Sequence, residues 1–250
     1  MQGERLGGRD RIALAVQRAV GRIVSPLWVP VTVGLMRFGL GWTIADVEET
    51  RRVYRVFCDS RGPRLICANH LTLVDSALIA WALGSPGWFL RHYAALPWNV
   101  PERDNFAFSS LSRLAAYVMK CVPITRGGDR RDVGRVLARV THLLARGESV
   151  LIFPEGGRSR SGTVDLESAA YGVGRIIAAL PDCRVFCVYL RGEGQHDYGD
   201  RPAAGERFHV YVDTIRPRSE LHGMRRARDL ARQVVRRLAD LEQRHFAEAG

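Results

Sequence analysis

The chain has 250 residues, 46% of them hydrophobic, enough for one sizeable α/β core but not for several independent domains. Its 37 Lys+Arg outnumber 26 Asp+Glu for a formal net charge of +11, and since Lys120 is the only lysine the excess is arginine. That balance points to polyanionic company, whether nucleic acid, an anionic membrane face or a phosphorylated substrate. The five cysteines (Cys58, Cys67, Cys121, Cys183 and Cys187) are odd in number, show no Cys-x-x-Cys spacing and lie mostly in apolar runs. They read as small buried hydrophobes and indicate neither a disulfide framework nor a zinc site.

Met1 to Arg22 is studded with charges and lacks the apolar core of a cleavable signal. Ile23 to Met36 is uncharged and lies between Arg22 and Arg37. As a helix it would reach only about 20 Å at about 1.5 Å per residue, short of a hydrocarbon core roughly 30 Å thick. Pro26 and Pro30 are expected to break it. Two readings fit: a buried core helix or connector, and a monotopic anchor. In the second, Trp28, Phe38 and Trp42 sit at headgroup level while Arg18, Arg22 and Arg37 reach anionic lipid. Arginines at both ends favour the anchor, which sets residues 1–50 apart from a single domain over 51–250.

From Arg51 onward, strand and helix patterns alternate. Strands are predicted at Val53–Cys58, Arg64–Ala68, Cys121–Ile124, Val150–Phe153, Arg184–Leu190 and Phe208–Ile215. Helices are predicted at Ser76–Leu83, Ser110–Met119, Asp129–Arg146 and Glu167–Leu180. The last helix, Leu221–Phe246, gathers Ala227, Leu230, Ala231, Val234, Leu238 and Leu241 on one face and most of its arginines elsewhere. It reads as a solvated helix packed on the sheet, with docking onto an anionic membrane as the alternative. No aromatics interleave its arginines, so nucleic acid is not an expected partner. The fold class is therefore α/β, a mostly parallel sheet flanked by helices, with an N-terminal membrane-associated helical element. Ligands of such sheets bind beyond the carboxyl ends of the strands, which directs attention to the residues after Ala68 and after Phe153.

The first of these segments is Asn69-His70-Leu-Thr-Leu-Val-Asp75. A carboxylate this close in sequence can return to the imidazole, fix its tautomer and leave the other ring nitrogen to accept a proton. Asp75 equally suits the first turn of a helix, where the dipole favours an acid. The second is Phe153-Pro-Glu155-Gly-Gly-Arg158-Ser-Arg-Ser-Gly162. Gly156 and Gly157 permit a tight turn whose amides face an oxyanion or phosphate, and Arg158 and Arg160 add bidentate donors. A plain surface loop has the same composition. A third segment, Val122-Pro-Ile-Thr-Arg126-Gly-Gly, delivers an arginine to a glycine turn.

In this order and at these separations the three segments resemble the glycerolipid acyltransferase family that includes the lysophosphatidate acyltransferases, over roughly Arg64 to Arg191. The resemblance implies an α/β catalytic domain behind a membrane-embedded helical element. It implies His70 as general base, Asp75 as its orienting partner, and direct attack of an acceptor hydroxyl on an acyl thioester with no acyl-enzyme. It places phosphate contacts on Arg126, Glu155, Gly156 and Arg158. The expected partners are an acyl thioester donor (acyl-CoA or acyl-carrier protein), a lysolipid acceptor and an anionic membrane surface at the cytoplasmic face of the cell membrane. No cofactor is expected. Gly157 stands where the family commonly has threonine, Thr125 precedes Arg126 where an Asp-Arg pair is usual, and Leu96–Phe106 is unlike a housekeeping lysophosphatidate enzyme. These differences bear on the acceptor more than on the reaction, and leave open a non-phosphate lipid or natural-product alcohol. A non-catalytic binder of anionic lipid and a thioester hydrolase remain as alternatives, whereas a serine hydrolase is disfavoured because no G-x-S-x-G elbow occurs.

Overall fold

The computed structural model describes residues 6–106, 108–125 and 127–249. Six strands form one sheet in the order β1-β6-β5-β2-β4-β3. They are β1 (Thr43–Ile44), β2 (Arg64–Ala68), β3 (Trp98–Asn99), β4 (Ser149–Ile152), β5 (Arg184–Gly192) and β6 (Arg207–Ile215). Only β5 and β6 pair antiparallel. The helices are α1 (Gly8–Gly34), α2 (Val47–Asp59), α3 (Asp75–Leu83), α4 (Pro86–Arg91), α5 (Ser110–Val118), α6 (Arg130–Ala145), α7 (Tyr171–Ala179) and α8 (Gly223–Ala249).

Successive strand residues point to opposite faces, and here both faces are covered. Leu65 and Cys67 of β2, with Val185, Cys187 and Tyr189 of β5, pack beneath Val140 of α6, Ile176 of α7 and Val234 and Leu238 of α8. Their alternates, Ile66 and Ala68 with Phe186, Val188 and Leu190, pack against Tyr54 and Phe57 of α2 and Leu78 and Ile79 of α3. That two-sided burial is why these strands read as unbroken apolar runs. The cysteines behave accordingly: all five are free thiols, and all but Cys58 are buried. Helices α7 and α8 cross at Gly174, where an added Cβ would lie 1.7 Å from the Ala227 carbonyl oxygen. Gly174→Ala is expected to cost stability toward the upper end of about 1–3 kcal/mol, read as a lower denaturant midpoint.

Several expectations are corrected. Residues 53–58 are helical, not a strand: the buried residues Thr50, Arg51, Tyr54 and Phe57 of α2 recur at helical spacing despite the β-branched and aromatic content. Cys121–Ile124 makes only isolated bridges, Asn99 to Cys121 and Glu102 to Ile124. Pro101 and Pro123 each withhold a donor, so no ladder propagates there. The helix expected from Glu167 starts only at Tyr171, because the preceding residues belong to the loop after β4.

The N-terminal helix differs most. It runs unbroken through Pro26 and Pro30 and continues as a wider-wound turn over Leu35–Gly39. Proline removes the donor that would meet the carbonyl four residues back. For Pro26 that carbonyl belongs to Arg22, and the Ser25 hydroxyl donates to it at 2.8 Å instead. The combined helix, Gly8–Gly39, is long and apolar enough by length and composition to cross a membrane. Its polarity is inverted for a helix on a globular protein. The buried face carries Gln17, Gly21 and Ser25 alongside Leu14 and Val29, while Ile23, Leu27, Val31, Leu35 and Phe38 are 61–81% exposed. Trp42, expected at headgroup level, is instead 2% exposed, with its indole N–H donated to the Ala203 carbonyl.

A buried ionic cluster ties α1 to the sheet. Glu148, just before β4, accepts from Arg18 Nε (2.6 Å), Lys120 Nζ (2.9 Å) and Trp98 Nε1 (2.8 Å). Lys120 Nζ also donates to the carbonyls of Tyr93 (3.0 Å) and Leu96 (2.7 Å). Burial pushes the Lys120 ammonium down to about 8, opposed by the Glu148 carboxylate. Burial raises Glu148, but Lys120 and the hydrogen bonds outweigh it and hold the carboxyl below its ordinary value. Lys120 itself has φ 58°, a left-handed conformation favoured by glycine at a helix end; here the lysine side chain is the one that can reach Glu148.

Candidate active site

The chain leaves β2 at Ala68, and Asn69 then locks the exit. Its side chain accepts from Leu190 N–H (2.8 Å) and donates to the Leu190 carbonyl (3.0 Å), extending the β2–β5 pairing by one residue. His70 follows, and Asp75 opens α3. The five-residue separation closes on a contact of 3.0 Å between His70 Nδ1 and Asp75 Oδ2. The same carboxylate accepts the Leu71 and Thr72 N–H groups (2.6 and 2.8 Å) and the Thr72 hydroxyl. Asp75 thus combines the two readings open at the sequence level, orienting the histidine and satisfying the amides of the first helical turn.

An ionised carboxylate only accepts, so Nδ1 carries the proton and Nε2 of the neutral ring carries the lone pair. Although His70 is only 9% exposed, Nε2 makes no hydrogen bond among the described residues and is not among the fully buried unpartnered atoms. It therefore keeps contact with solvent. The ring is stacked on Phe153, the last residue before the glycine loop, with centroids 3.9 Å apart and an interplanar angle of 12°. The loop is also pinned from below, since Ser159 N–H donates to the His70 carbonyl at 2.7 Å.

Within that loop Gly156 has φ +72°, which an L side chain rarely adopts. Glu155 is turned into the loop: Oε2 accepts from the Ser159 hydroxyl (2.6 Å) and the Asp165 N–H (3.1 Å), while Oε1 is buried without a partner. Burial pushes its carboxyl above the ordinary value, against the two hydrogen bonds. Arg158 Nη1 donates to the Gly199 carbonyl (2.7 Å) and to Asp200 Oδ1 (2.9 Å), and the guanidinium lies over the Tyr198 ring. Gly157, half-buried, lies between them. Arg126 lies outside the described residues. The fold thus gathers His70, Asp75, Glu155, Gly156, Gly157 and Arg158 at the carboxyl ends of β2 and β4.

Three residues that sequence reasoning did not single out hold the loop in place. Arg191 donates to the carbonyls of Gly162 (2.6 Å), His196 (2.8 Å) and Gln195 (2.9 Å). Glu242 of α8 accepts from Val164 N–H (3.1 Å) and the Tyr189 hydroxyl (3.1 Å). Asp200 takes the guanidinium of Arg158. The available signal was for Arg191 alone, a charge closing an apolar strand.

The model of the acyltransferase family matches residues 45–191, well over half of the chain. The chain belongs to the acyltransferase family. It is an enzyme of that activity, and the matched stretch holds the histidine, the aspartate and the glycine loop just described. The family match stops at Arg191, so β6 and α8, whose Glu242 steadies the loop, lie beyond it. Among solved structures, the chain is similar to the crystal structure of the 1-acyl-sn-glycerophosphate (LPA) acyltransferase PlsC from Thermotoga maritima, at 13% identity and a TM-score of 0.40 over 93% of this chain and 97% of that one. None of the curated proteins matches.

Proposed function

We propose that the enzyme transfers a fatty acyl group from acyl-CoA or acyl-carrier protein to the hydroxyl of a lysophospholipid-type acceptor, with His70 as general base. The observation that carries this reading is the His70–Asp75 pair with Nε2 left free. Nε2 takes the proton from the acceptor hydroxyl as its oxygen bonds to the thioester carbonyl carbon. The tetrahedral oxyanion then collapses, the C–S bond breaks, and the thiolate leaves with the proton returned by the imidazolium. No acyl-enzyme forms. Arg158 and Arg126 supply cationic hydrogen-bond donors for an acceptor phosphate, and the Gly156–Gly157 turn supplies backbone amides.

The exposed apolar row of α1 supports placement of residues 1–50 against a bilayer, at the cytoplasmic face, with the catalytic domain over 51–250 beside it. Phe38 belongs to that face, whereas Trp28, expected at headgroup level, packs against the core with its indole nitrogen buried, and Arg18 is engaged with Glu148. The test is incubation with long-chain acyl-CoA and a lysolipid panel, following free thiol and identifying acylated product by mass spectrometry. Thiol release without acylated acceptor would replace transfer by hydrolysis.

A second reading, an acceptor without phosphate, is favoured by Asp200, which already occupies the guanidinium of Arg158. Arg158→Ala separates the two. For a phosphorylated acceptor it should raise KM by roughly tenfold or more, the size of a lost charge-assisted hydrogen bond, with little change for a neutral alcohol. Equal effects on both acceptors would remove Arg158 from the phosphate contacts.

A further inference from the structure

A cavity of about 350 Å³ opens at the amino ends of the strands, away from His70. Arg64, in its wall, begins β2, whereas His70 follows the end of that strand; at about 3.3 Å per residue the two ends lie roughly 20 Å apart. The cavity is lined by Arg18 and Arg22 of α1, Arg64, and Arg91 at the end of α4, around the Trp88 indole, with Asp59 as the one carboxylate in its wall. Arg18 is neutralised by Glu148, and Arg64 donates to the Cys58 carbonyl at 3.4 Å. The guanidinium groups of Arg22 and Arg91 have no hydrogen-bond or ion-pair partner among the described residues.

Guanidinium groups that converge on one concavity repel one another unless an anion sits between them, and their planar forks match phosphate oxygens bidentately. The volume is near the lower end of the about 300–1,000 Å³ of small-ligand sites, room for a phosphate with a short polar substituent. The position indicates the source. Arg22 is followed directly by Ile23 of the exposed apolar row of α1, which runs from Ile12 and Val16 to Phe38, so the cavity lies alongside that row.

We propose that this cavity is a second anion site, separate from the catalytic cleft, that binds the phosphate of an anionic phospholipid headgroup and so docks the amino end of the sheet on the membrane. The choice of a headgroup over free phosphate rests on the bilayer placement of α1, whereas the phosphate site itself does not depend on the acyl-transfer reading.

The test compares Arg22→Gln/Arg91→Gln with Arg225→Gln/Arg226→Gln, an equal loss of charge from exposed positions on α8. Binding is measured to phosphatidylcholine vesicles containing phosphatidylglycerol, or oleate as a phosphate-free anion. The first pair should weaken binding to phosphatidylglycerol vesicles roughly tenfold or more and the control pair less, with a smaller difference on oleate vesicles. Turnover of a detergent-dispersed acceptor should be unchanged in the first pair, and His70→Ala should bind vesicles like wild type. Inorganic phosphate should perturb Trp88 fluorescence, assigned by its loss in Trp88→Phe. Equal weakening by both pairs, with no response to phosphate, would overturn the site. A phosphate response without a vesicle effect specific to Arg22 and Arg91 would overturn the headgroup as its source.

Discussion

His70→Ala is expected to lower acyl transfer by about 10²–10⁴-fold, the range a positioned general base contributes, while the protein stays folded. The side chain can be removed without disturbing the turn. The local backbone is held by Asn69 to Leu190 and by Asp75 to the Leu71 and Thr72 amides, none of which uses the imidazole. Asp75→Asn should also impair turnover, because an amide can present its NH₂ to Nδ1 and favour the other tautomer, placing the proton on Nε2 where the lone pair is needed. The loss should appear in kcat more than in donor binding. Retention of wild-type turnover by His70→Ala would assign the proton transfer to another group and leave Asp75 as a helix-start residue.

The largest effect on stability is expected at the ionic cluster beneath α1. Glu148→Gln leaves the Lys120 ammonium buried, 1% exposed, with two carbonyls and no counter-charge. Breaking a buried pair from one side costs about 3–5 kcal/mol, to be read from urea unfolding. Adding Lys120→Met should recover much of that loss, since the penalty belongs to the unpaired charge rather than to the missing carboxylate. The pH dependence has a definite sign. Glu148 is held below its ordinary value, so its contribution is complete above the unfolded pKa of about 4.3 and is lost as pH falls through the folded value. The gap between wild type and Glu148→Gln should therefore narrow in acid. A cost below about 1 kcal/mol at neutral pH would mean that the pair behaves like an exposed one.

Much of this architecture is legible in the sequence because burial imposes a period. Strands β2, β4, β5 and β6 and helices α3, α5, α6 and α8 lie near where their apolar patterns place them. What misleads is residue type without burial context. Val53, Tyr54 and Phe57 are good strand residues, yet they ride on a helix because the positions facing the core recur at helical spacing. Pro26 appears as a helix breaker because nothing in the one-dimensional pattern reveals that Ser25 can occupy the carbonyl it abandons. Trp42 carries an amphipathic ring suited to an interface, but the Ala203 carbonyl and the edge of Phe208 draw it inside. At the site, the contact between His70 and Asp75 is local and therefore readable. The partners of Arg158, Glu155 and Arg191 come from loops dozens of residues away or from irregular backbone, where composition says only that a turn exists.

The single lysine of this chain is sealed within the protein. Thioesters acylate amines without any enzyme when an uncharged amine meets them, and the lowered pKa of Lys120 would make it a ready target were it accessible. With that nitrogen enclosed and arginine, always protonated, serving as the surface cation, the folded chain presents its donor with no lysine to modify by accident.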